Sequence, residues 1–192
     1  MTDPLALLRD WLAEARAVTA IRHPSAACLS TIAPDGTPTA RFVDVKEVNA
    51  EGLVFGTSLD SPKAVALVHN AAVSLTFWWD HVEKQVRVSG RALRISDERA
   101  DILFSKRPRD AQLASWGSQQ STPIPTSEEL MQRIATARVR FQGRDVQLPP
   151  NWGGYEVAPN RMEFLRFSPD RLHERIVFER TGASWVRALL QP

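Results

Sequence analysis

The chain opens with apolar residues at helical spacing. Leu5, Leu8, Trp11 and Leu12 recur every three or four positions, so they would share one face of a helix. The sequence Asp3-Pro4 precedes them, and a capping side chain followed by proline is typical of a helix start. The pattern predicts a first helix that begins at Pro4 and ends near Val18.

Alternating apolar and polar positions then predict strands that mostly follow one another as hairpins. The turn Pro34-Asp35-Gly36 separates the first pair, because glycine readily takes the positive φ that such a turn needs. Pro and Gly residues predict a loop over 148–154. The predicted strands are 26–32, 39–46, 52–58, 73–79, 85–93, 155–157, 161–167, 175–180 and 185–190.

Four further helices are expected between the strands. Ser61 caps one over 62–69, another covers 96–106, and a short one reaches Trp116. Thr126 and Glu129 form a capping box that opens the last of them. Its apolar face would hold Leu130, Met131, Ile134 and Phe141.

The order of these elements predicts the fold class. Strands follow strands rather than alternating with helices, so we expect a mainly β, α+β protein whose antiparallel sheet closes into a barrel with helices outside. No repeat and no linker divides the sequence, so residues 1–192 are predicted to form a single domain.

Composition narrows the class of protein. The 192 residues are 43% hydrophobic and 24% charged, a globular mixture that excludes a disordered chain. The single cysteine, Cys28, excludes an internal disulfide and is predicted to be a small core residue. No apolar run approaches the roughly 20 residues that span a bilayer, and Met1-Thr2-Asp3-Pro4 does not resemble a secretion signal. We therefore expect a cytoplasmic protein without a membrane partner, and the net charge of +2 does not favour nucleic acid.

Several chemistries lack their motifs. The sequence contains no glycine-rich dinucleotide or P-loop fingerprint and no hydrolase nucleophile elbow. The four histidines lie far apart, at positions 23, 69, 81 and 173, so no metal site is predicted.

Two basic clusters stand out. In the sequence 171–175, Arg171, His173 and Arg175 would point to one side if the chain were extended, and an anion would relieve their repulsion. The second cluster is 107–110, Arg-Pro-Arg-Asp, at a helix break. The alternative explanation is a solvated loop for the first cluster and a structural salt bridge for the second.

Single cations add to these clusters. Arg41 and Lys46 lie five apart on one predicted strand, so they would face opposite sides unless a bulge intervened. Lys63 lies in the first turn of its helix, where free N–H groups suit a phosphate. Together these cations favour a phosphorylated, planar ligand.

The ordered motifs of the chain resemble one family. They are Asp3-Pro4-Leu5, Ala40-Arg41-Phe42-Val43, Gln85-Val86, Lys106-Arg107-Pro108-Arg109-Asp110, Gln119-Gln120-Ser121, Trp152-Gly153-Gly154, Glu163-Phe164 and Arg171-Leu172-His173-Glu174-Arg175. The chain is similar to the pyridoxamine 5′-phosphate oxidases from Asp3 to Pro192. The resemblance implies an FMN-binding split β-barrel that forms a homodimer, with FMN in two clefts at the subunit interface.

The resemblance also implies residue roles. Arg171 and His173 would be catalytic and would contact the substrate, whose phosphate Lys46 and Arg107 would hold. FMN would be bound by residues from both subunits, namely Arg41, Phe42, Val43, Asp44, Val45, Thr57, Lys63, Gln85, Gln120, Ser121 and Arg175.

The implied reaction is oxidation of pyridoxine or pyridoxamine 5′-phosphate to pyridoxal 5′-phosphate, with O₂ reduced to H₂O₂. Two alternatives stay open. One is a paralogue that oxidises another aromatic substrate, such as a dihydrophenazine carboxylic acid of phenazine biosynthesis. The other is a flavin- or pyridoxal-phosphate-binding protein without turnover.

The sequence departs from the family pattern at the implied sites. Leu103 and Ala111 replace a tyrosine and a serine of the substrate phosphate pocket, and Leu165 replaces a tryptophan near the flavin. Family members also usually carry a segment before the Asp3-Pro4 motif that can cover the substrate. Further departures are Pro62 for arginine, Gly56 for tyrosine and Asp44 for an aliphatic residue.

Overall fold

The computed structural model describes residues 3–192. Met1 and Thr2, which were included in the predicted domain, lie outside the described residues. The described residues form five α-helices and eight strands. The helices are α1 (Pro4–Ala17), α2 (Pro62–His69), α3 (Asp97–Ser105), α4 (Arg109–Gly117) and α5 (Ser127–Arg140). The strands are β1 (Ala26–Ile32), β2 (Pro38–Val48), β3 (Leu53–Ser58), β4 (Ala72–Trp79), β5 (Lys84–Arg94), β6 (Trp152–Arg166), β7 (Glu174–Thr181) and β8 (Ser184–Leu190).

Helix α1 forms as its sequence predicts. The Asp3 carboxylate accepts hydrogen bonds from the backbone N–H groups of Leu5 and Ala6, at 3.0 and 3.2 Å. These bonds satisfy donors that the first turn would otherwise leave free. The buried side of the helix carries the predicted apolar residues, Leu5, Leu8, Trp11, Leu12 and Ala15.

The strands close into an antiparallel barrel. Their order is β3-β2-β1-β4-β5-β6, and β3 also pairs with β6, which completes a ring of six strands. Strands β7 and β8 continue the sheet beyond β6. The barrel core is apolar and includes Leu29, Phe55, Phe77, Val88 and Phe164. The predicted α+β split-barrel fold is confirmed.

A second apolar cluster holds α3, α4 and α5 against the outside of the barrel. It contains Leu103 and Phe104 of α3, Leu113 of α4 and Trp152 of β6. Phe104 and Trp152 meet edge to face, with ring centroids 5.2 Å apart. This packing fixes the break between α3 and α4, where the basic cluster 107–110 lies.

One face of the sheet points away from the barrel core, and we call it the outer face. A row of aligned residues crosses it from β2 to β7: Phe42, Cys28, Thr76, Arg87, Glu163 and Val177. Aligned residues of antiparallel strands project to the same side. Cys28 is half-buried on this face, so its prediction as a core residue is wrong.

The largest local difference from the sequence prediction lies in β6. Two short strands were expected around Ala158-Pro159-Asn160, but one strand runs through them. Gly90 of β5 pairs with Pro159 and Ser89 with Arg161, so Asn160 is the extra residue of a bulge. A Cβ at Gly90 would lie 2.2 Å from the carbonyl oxygen of Ala158, so glycine permits this close approach.

Two smaller predictions are also wrong. The expected loop over 148–154 ends earlier, because Trp152 already begins β6. On α5, Met131 is exposed and does not share the apolar face. The buried residue of α5 is Ala137.

Among residues 3–192, no helix combines the length and the apolar character needed to cross a membrane.

Candidate functional site

A cleft of about 400 Å³ gathers several predicted cofactor residues, and we call it the phosphate cleft. It lies between β2, the start of α2 and the segment after α4. Its lining includes Arg41, Phe42, Pro62, Lys63, Gln120 and Ser121. Lys63 donates hydrogen bonds to Thr57 Oγ1 at 3.1 Å and to Gln120 Oε1 at 3.0 Å. Arg41 donates to the hydroxyls of Thr31 and Thr39, both at 2.7 Å.

The two cations of the phosphate cleft have only neutral partners. The Lys63 side chain is 7% exposed, and among residues 3–192 neither Lys63 nor Arg41 forms a salt bridge. Burial, and then the positive charge of Arg41, lower the pKa of Lys63 below its ordinary value. Burial also lowers the pKa of Arg41. A cation withdrawn from water is normally paired with an anion, so the buried Lys63 and the half-buried Arg41 are suited to an anionic ligand.

A second cleft of about 320 Å³ adjoins the first, and we call it the arginine cleft. Gln120 lines both clefts, while Thr57, Arg107 and Ala111 line only this one. The Arg107 guanidinium lies over the rings of Phe104 and Trp152, with its carbon 5.5 and 5.1 Å from their centroids. It donates to Ser115 Oγ at 2.7 Å, and burial lowers its pKa. Within the described chain Arg107 has no carboxylate partner either.

The rest of the 107–110 cluster is structural. Arg109 donates to the carbonyl oxygens of Phe141 and Arg144, at 2.7 and 3.1 Å, and so satisfies acceptors at the end of α5. Asp110 pairs with Arg138 at 3.1 Å. The salt-bridge explanation therefore holds for Asp110, and Arg109 is structural through its carbonyl hydrogen bonds, but neither explanation applies to Arg107.

Two other predicted cofactor residues lie on the outer face. Gln85 of β5 pairs in register with Leu165 of β6, and Leu165 pairs with Arg175 of β7. The side chains of Gln85 and Arg175 therefore project to the same side of the sheet, with β6 between them.

A buried carboxylate fixes Arg175 in this position. Glu163 is 2% exposed, and both Nε and Nη2 of Arg175 donate to its Oε1, at 3.0 and 2.7 Å. Arg161 donates to Oε2 at 3.2 Å, and Arg87 lies 3.6 Å away. Burial would raise the pKa of Glu163, but the Arg175 hydrogen bond and the neighbouring charges outweigh it and lower that pKa. Arg161 also pairs with Glu179 at 3.3 Å, so three guanidiniums meet two carboxylates and this cluster keeps a net positive charge.

Arg171 and His173 lie in the turn between β6 and β7. Arg171 has a φ of 64°, so the expectation of an extended 171–175 stretch with three residues facing one side is wrong. Its side chain is exposed, and His173 packs edge to face on Phe167 at 5.0 Å. The Ser168 N–H donates to His173 Nδ1 at 3.1 Å. In neutral His173 the ring proton therefore lies on Nε2, which is left to act as a donor.

The remaining predicted residues occupy different surroundings. Lys46 lies at a β2 irregularity between the pairs Val45–Phe55 and Glu47–Val54, where the sequence required a bulge. It pairs with Asp44 and lines a separate cleft with Arg9 and Arg16 of α1. Val43 and Val45 point into the barrel core, so only their backbone groups can face a ligand.

Comparisons with known proteins show the family of the chain. A family profile described as pyridoxamine 5′-phosphate oxidase matches residues 13–142. A second, described as the pyridoxine 5′-phosphate oxidase C-terminal dimerisation region, matches residues 152–192. The chain belongs to the pyridoxamine 5′-phosphate oxidase family. Members of this family are oxidoreductases that act with FMN, and this chain is such an enzyme.

Relatives and solved structures extend the match over the whole chain. Pyridoxine/pyridoxamine 5′-phosphate oxidases from Rubrobacter xylanophilus and Sphingopyxis alaskensis are 43% and 41% identical over 190 residues. Each match covers 99% of this chain and 87% or 88% of the relative. PhzG from Burkholderia lata, solved with tetrahydrophenazine-1-carboxylic acid, has a TM-score of 0.94 at 31% identity and covers 100% of this chain and 94% of its own. An FMN-binding protein from Nostoc punctiforme, at TM-score 0.82, 16% identity and full coverage of both chains, shows the fold alone.

The residues that depart from the family pattern lie in different parts of the structure. Leu103 is buried in the second apolar cluster, whereas Ala111 lines the arginine cleft. A Cβ at Gly56 would lie 2.5 Å from the Trp152 ring, so a tyrosine there would require that indole to move. Pro62 lines the phosphate cleft, and Leu165 lies between Gln85 and Arg175.

Sequence reasoning missed the residues that hold the site residues in place. Thr31 and Thr39 hold Arg41, Ser115 holds Arg107, and Glu163 holds Arg175. The sequence could have indicated the two threonines, because Thr31 and Thr39 lie opposite each other in the first hairpin. Glu163 belongs to one of the family motifs, but two of its arginine neighbours, Arg87 and Arg175, come from other strands.

Proposed function

We propose that this protein is an FMN-dependent oxidase that converts pyridoxine or pyridoxamine 5′-phosphate to pyridoxal 5′-phosphate, with O₂ reduced to H₂O₂. The observation that carries the proposal is a set of three cations without carboxylate partners, the buried Lys63 and the half-buried Arg41 and Arg107. They occupy two adjoining clefts, which suits a phosphorylated cofactor beside a phosphorylated substrate. Relatives with that name at about 40% identity support the same assignment.

The phosphate cleft fits the phosphate of FMN. Lys63 and Arg41 supply the charge, and the hydroxyl of Thr57 and the amide of Gln120 supply neutral hydrogen-bonding groups. When bound, FMN accepts a hydride from the substrate and passes its electrons to O₂. The protein binds and orients both molecules.

The other proposed site residues act from the outer face and its edge. Gln85 and Arg175 would bind FMN, and Arg171 and His173 would hold the substrate against it. We propose that a homodimer brings these groups to the phosphate cleft of the partner copy. The match of residues 152–192 to a dimerisation region supports this, because it covers β6, β7 and β8.

A phenazine-type substrate is the second candidate. The likeness to PhzG with its bound tetrahydrophenazine-1-carboxylic acid supports it, as does the lack of hydroxyls at Leu103 and Ala111. A carboxylate could then take the place of the phosphate at Arg107.

Turnover of FMN-loaded protein tests the proposal. Pyridoxine phosphate, pyridoxamine phosphate and a dihydrophenazine carboxylic acid are compared side by side, with peroxide and product both measured. We expect pyridoxal 5′-phosphate and an equal amount of peroxide from the first two. Faster oxidation of the phenazine would favour the second candidate, and binding of FMN without peroxide from any substrate would contradict both.

Replacement of Lys63 should separate stability from binding. Lys63→Met removes a buried cation, so we expect the protein without FMN to gain about 1 kcal/mol of unfolding free energy. FMN affinity should fall at least tenfold, because a charged phosphate contact is lost. Denaturant unfolding and FMN titration measure the two effects. Loss of both stability and affinity would mean that Lys63 is a structural residue.

The lowered pKa of Lys63 adds a pH dependence. The unfolded chain binds the Lys63 proton more tightly than the folded chain. Stability without FMN should therefore rise as the pH increases from the lowered pKa towards 10.5, and Lys63→Met should remove this rise.

A hydroxyl at position 111 should improve phosphate binding. Ala111 lines the arginine cleft, where Ser115 is the hydroxyl bonded to Arg107. We expect Ala111→Ser to lower the KM for pyridoxamine phosphate about tenfold, since a hydrogen bond to a charged group is worth roughly 1.5 kcal/mol or more. The kcat should change little, because the contact is remote from the reacting carbon. An unchanged KM would show that the substrate phosphate lies elsewhere.

A further inference from the structure

Trp78 presents a large aromatic surface that the fold itself does not use. The adjacent Trp79 is buried in the barrel, and its Nε1 donates to the carbonyl oxygen of Pro24 at 2.7 Å. Trp78 points to the outer face and is 52% exposed. An exposed indole beside polar residues is more typical of a binding surface than of a core.

The sheet register places Trp78 in line with the proposed cofactor residues. Trp78 of β4 pairs with Gln85 of β5, which pairs with Leu165, which pairs with Arg175. Side chains directly opposite one another on neighbouring strands have Cβ atoms about 5 Å apart. Trp78 therefore lies next to Gln85, on the side opposite Leu165, and is the only aromatic residue of these four.

Aromatic contacts also connect Trp78 to the proposed substrate residues. Its ring meets Phe167 edge to face, with centroids 4.9 Å apart and an interplanar angle of 87°. Phe167 in turn contacts His173. These contacts orient the indole. On its other side it lines an open cavity of about 850 Å³ with Phe42, Val43 and Asp44, part of the stretch expected to run along the flavin.

We propose that Trp78 contacts the isoalloxazine ring of FMN and supplies the aromatic surface that position 165 lacks. This inference rests on the proposed function, because it requires FMN to lie against Gln85 and Arg175. The flavin ring is planar and apolar on its faces, so an indole held at one edge of the row provides the contact that Leu165 is too small to make. Trp78 is thus a cofactor-contacting residue, and Phe167 connects it to His173.

FMN titration of protein freed of its cofactor tests the proposal. We expect Trp78→Leu to raise the Kd for FMN about tenfold and to change the visible circular dichroism of the bound flavin, which reports on the ring's surroundings. Met131→Ala, which removes an exposed apolar side chain from α5, is the control and should change neither quantity.

Relocation of the indole gives a sharper test. The double variant Trp78→Leu/Leu165→Trp places an indole on the other side of Gln85. It should recover most of the FMN affinity lost in Trp78→Leu. Such a recovery would not follow if Trp78 served only to stabilise the sheet.

The results of these measurements distinguish FMN from the partner copy as the molecule that covers Trp78. An unchanged Kd and dichroism in Trp78→Leu would overturn the proposal, as would weaker dimerisation with unchanged FMN affinity, because the partner copy would then cover Trp78. If Trp78→Leu does not fold, Trp78→Phe decides by the same two measurements, with an expected rise in Kd of about threefold. Failure of the wild-type protein to bind FMN would instead overturn the proposed function.

Discussion

Arg171→Leu should lower kcat/KM by about 100-fold at saturating FMN while leaving FMN affinity unchanged. The Arg171 side chain is exposed and makes no hydrogen bond or salt bridge within residues 3–192, so it is free to contact a substrate. Its backbone holds the left-handed conformation, which costs a non-glycine residue about 1 kcal/mol or more and is common at functional sites. Steady-state kinetics and FMN titration of the same preparation measure the two quantities.

Arg175→Leu should show the reverse pattern. Its guanidinium is assigned to the cofactor, so FMN should bind more weakly and excess FMN should restore part of the activity. Arg91→Leu is the matched control, since Arg91 is an exposed arginine of β5 outside the proposed site. Near-normal turnover by Arg171→Leu would remove that residue from the mechanism and favour a role as a solvated charge.

Glu163→Gln should weaken both the fold and cofactor binding. The change leaves Arg87, Arg161 and Arg175 around a neutral amide, so we expect a loss of about 2–3 kcal/mol of unfolding free energy. The Kd for FMN should rise about tenfold, because Arg175 loses the acceptor that orients it. Denaturant unfolding and FMN titration measure the two losses.

The pH dependence of stability and a second variant test whether the Glu163 carboxylate is the cause of both losses. The pKa of Glu163 is lowered by folding, so its contribution to stability is present above about pH 4.5 and is lost as the pH falls through the lowered pKa. Glu163→Gln should flatten this acid-side loss. Arg87→Gln is the control, because it removes a neighbouring charge without touching Arg175, and it should leave FMN affinity near normal. Equal weakening by both variants would contradict the assigned role of Glu163.

Local sequence rules predicted most of the fold. The limits of β1 match the expectation, and α1 and α2 begin at their Asp3-Pro4 and Ser61-Pro62 signals. The errors occurred where tertiary contacts override local preference. Pro159 suggested a strand end, but the bulge at Asn160 and the absence of a side chain at Gly90 let β6 continue.

The candidate site was predicted by residue but not by arrangement. The sequence identified Arg41, Lys63 and Gln120, and the structure places them at one cleft. The sequence could not show that Arg107 faces a cleft without a carboxylate partner while Arg109 caps α5. Both arginines belong to one motif and differ only in where their side chains point. The geometry of Arg171 was also hidden, since its left-handed φ depends on the turn between β6 and β7.

The pairing of β3 with β6 has a consequence for folding kinetics. It joins Gly56 to Gly154 and Thr57 to Gly153, which are distant in sequence, and such non-local pairs form slowly because a long loop must close first. The arginine cleft includes Gly56, Thr57 and Trp152 of this pairing, and Thr57 accepts a hydrogen bond from Lys63 of the phosphate cleft. The arginine cleft is therefore complete only when the ring of strands is closed. A ligand bound there favours the closed ring by mass action. We therefore expect the bound cofactor to slow the separation of β3 from β6 when the barrel unfolds.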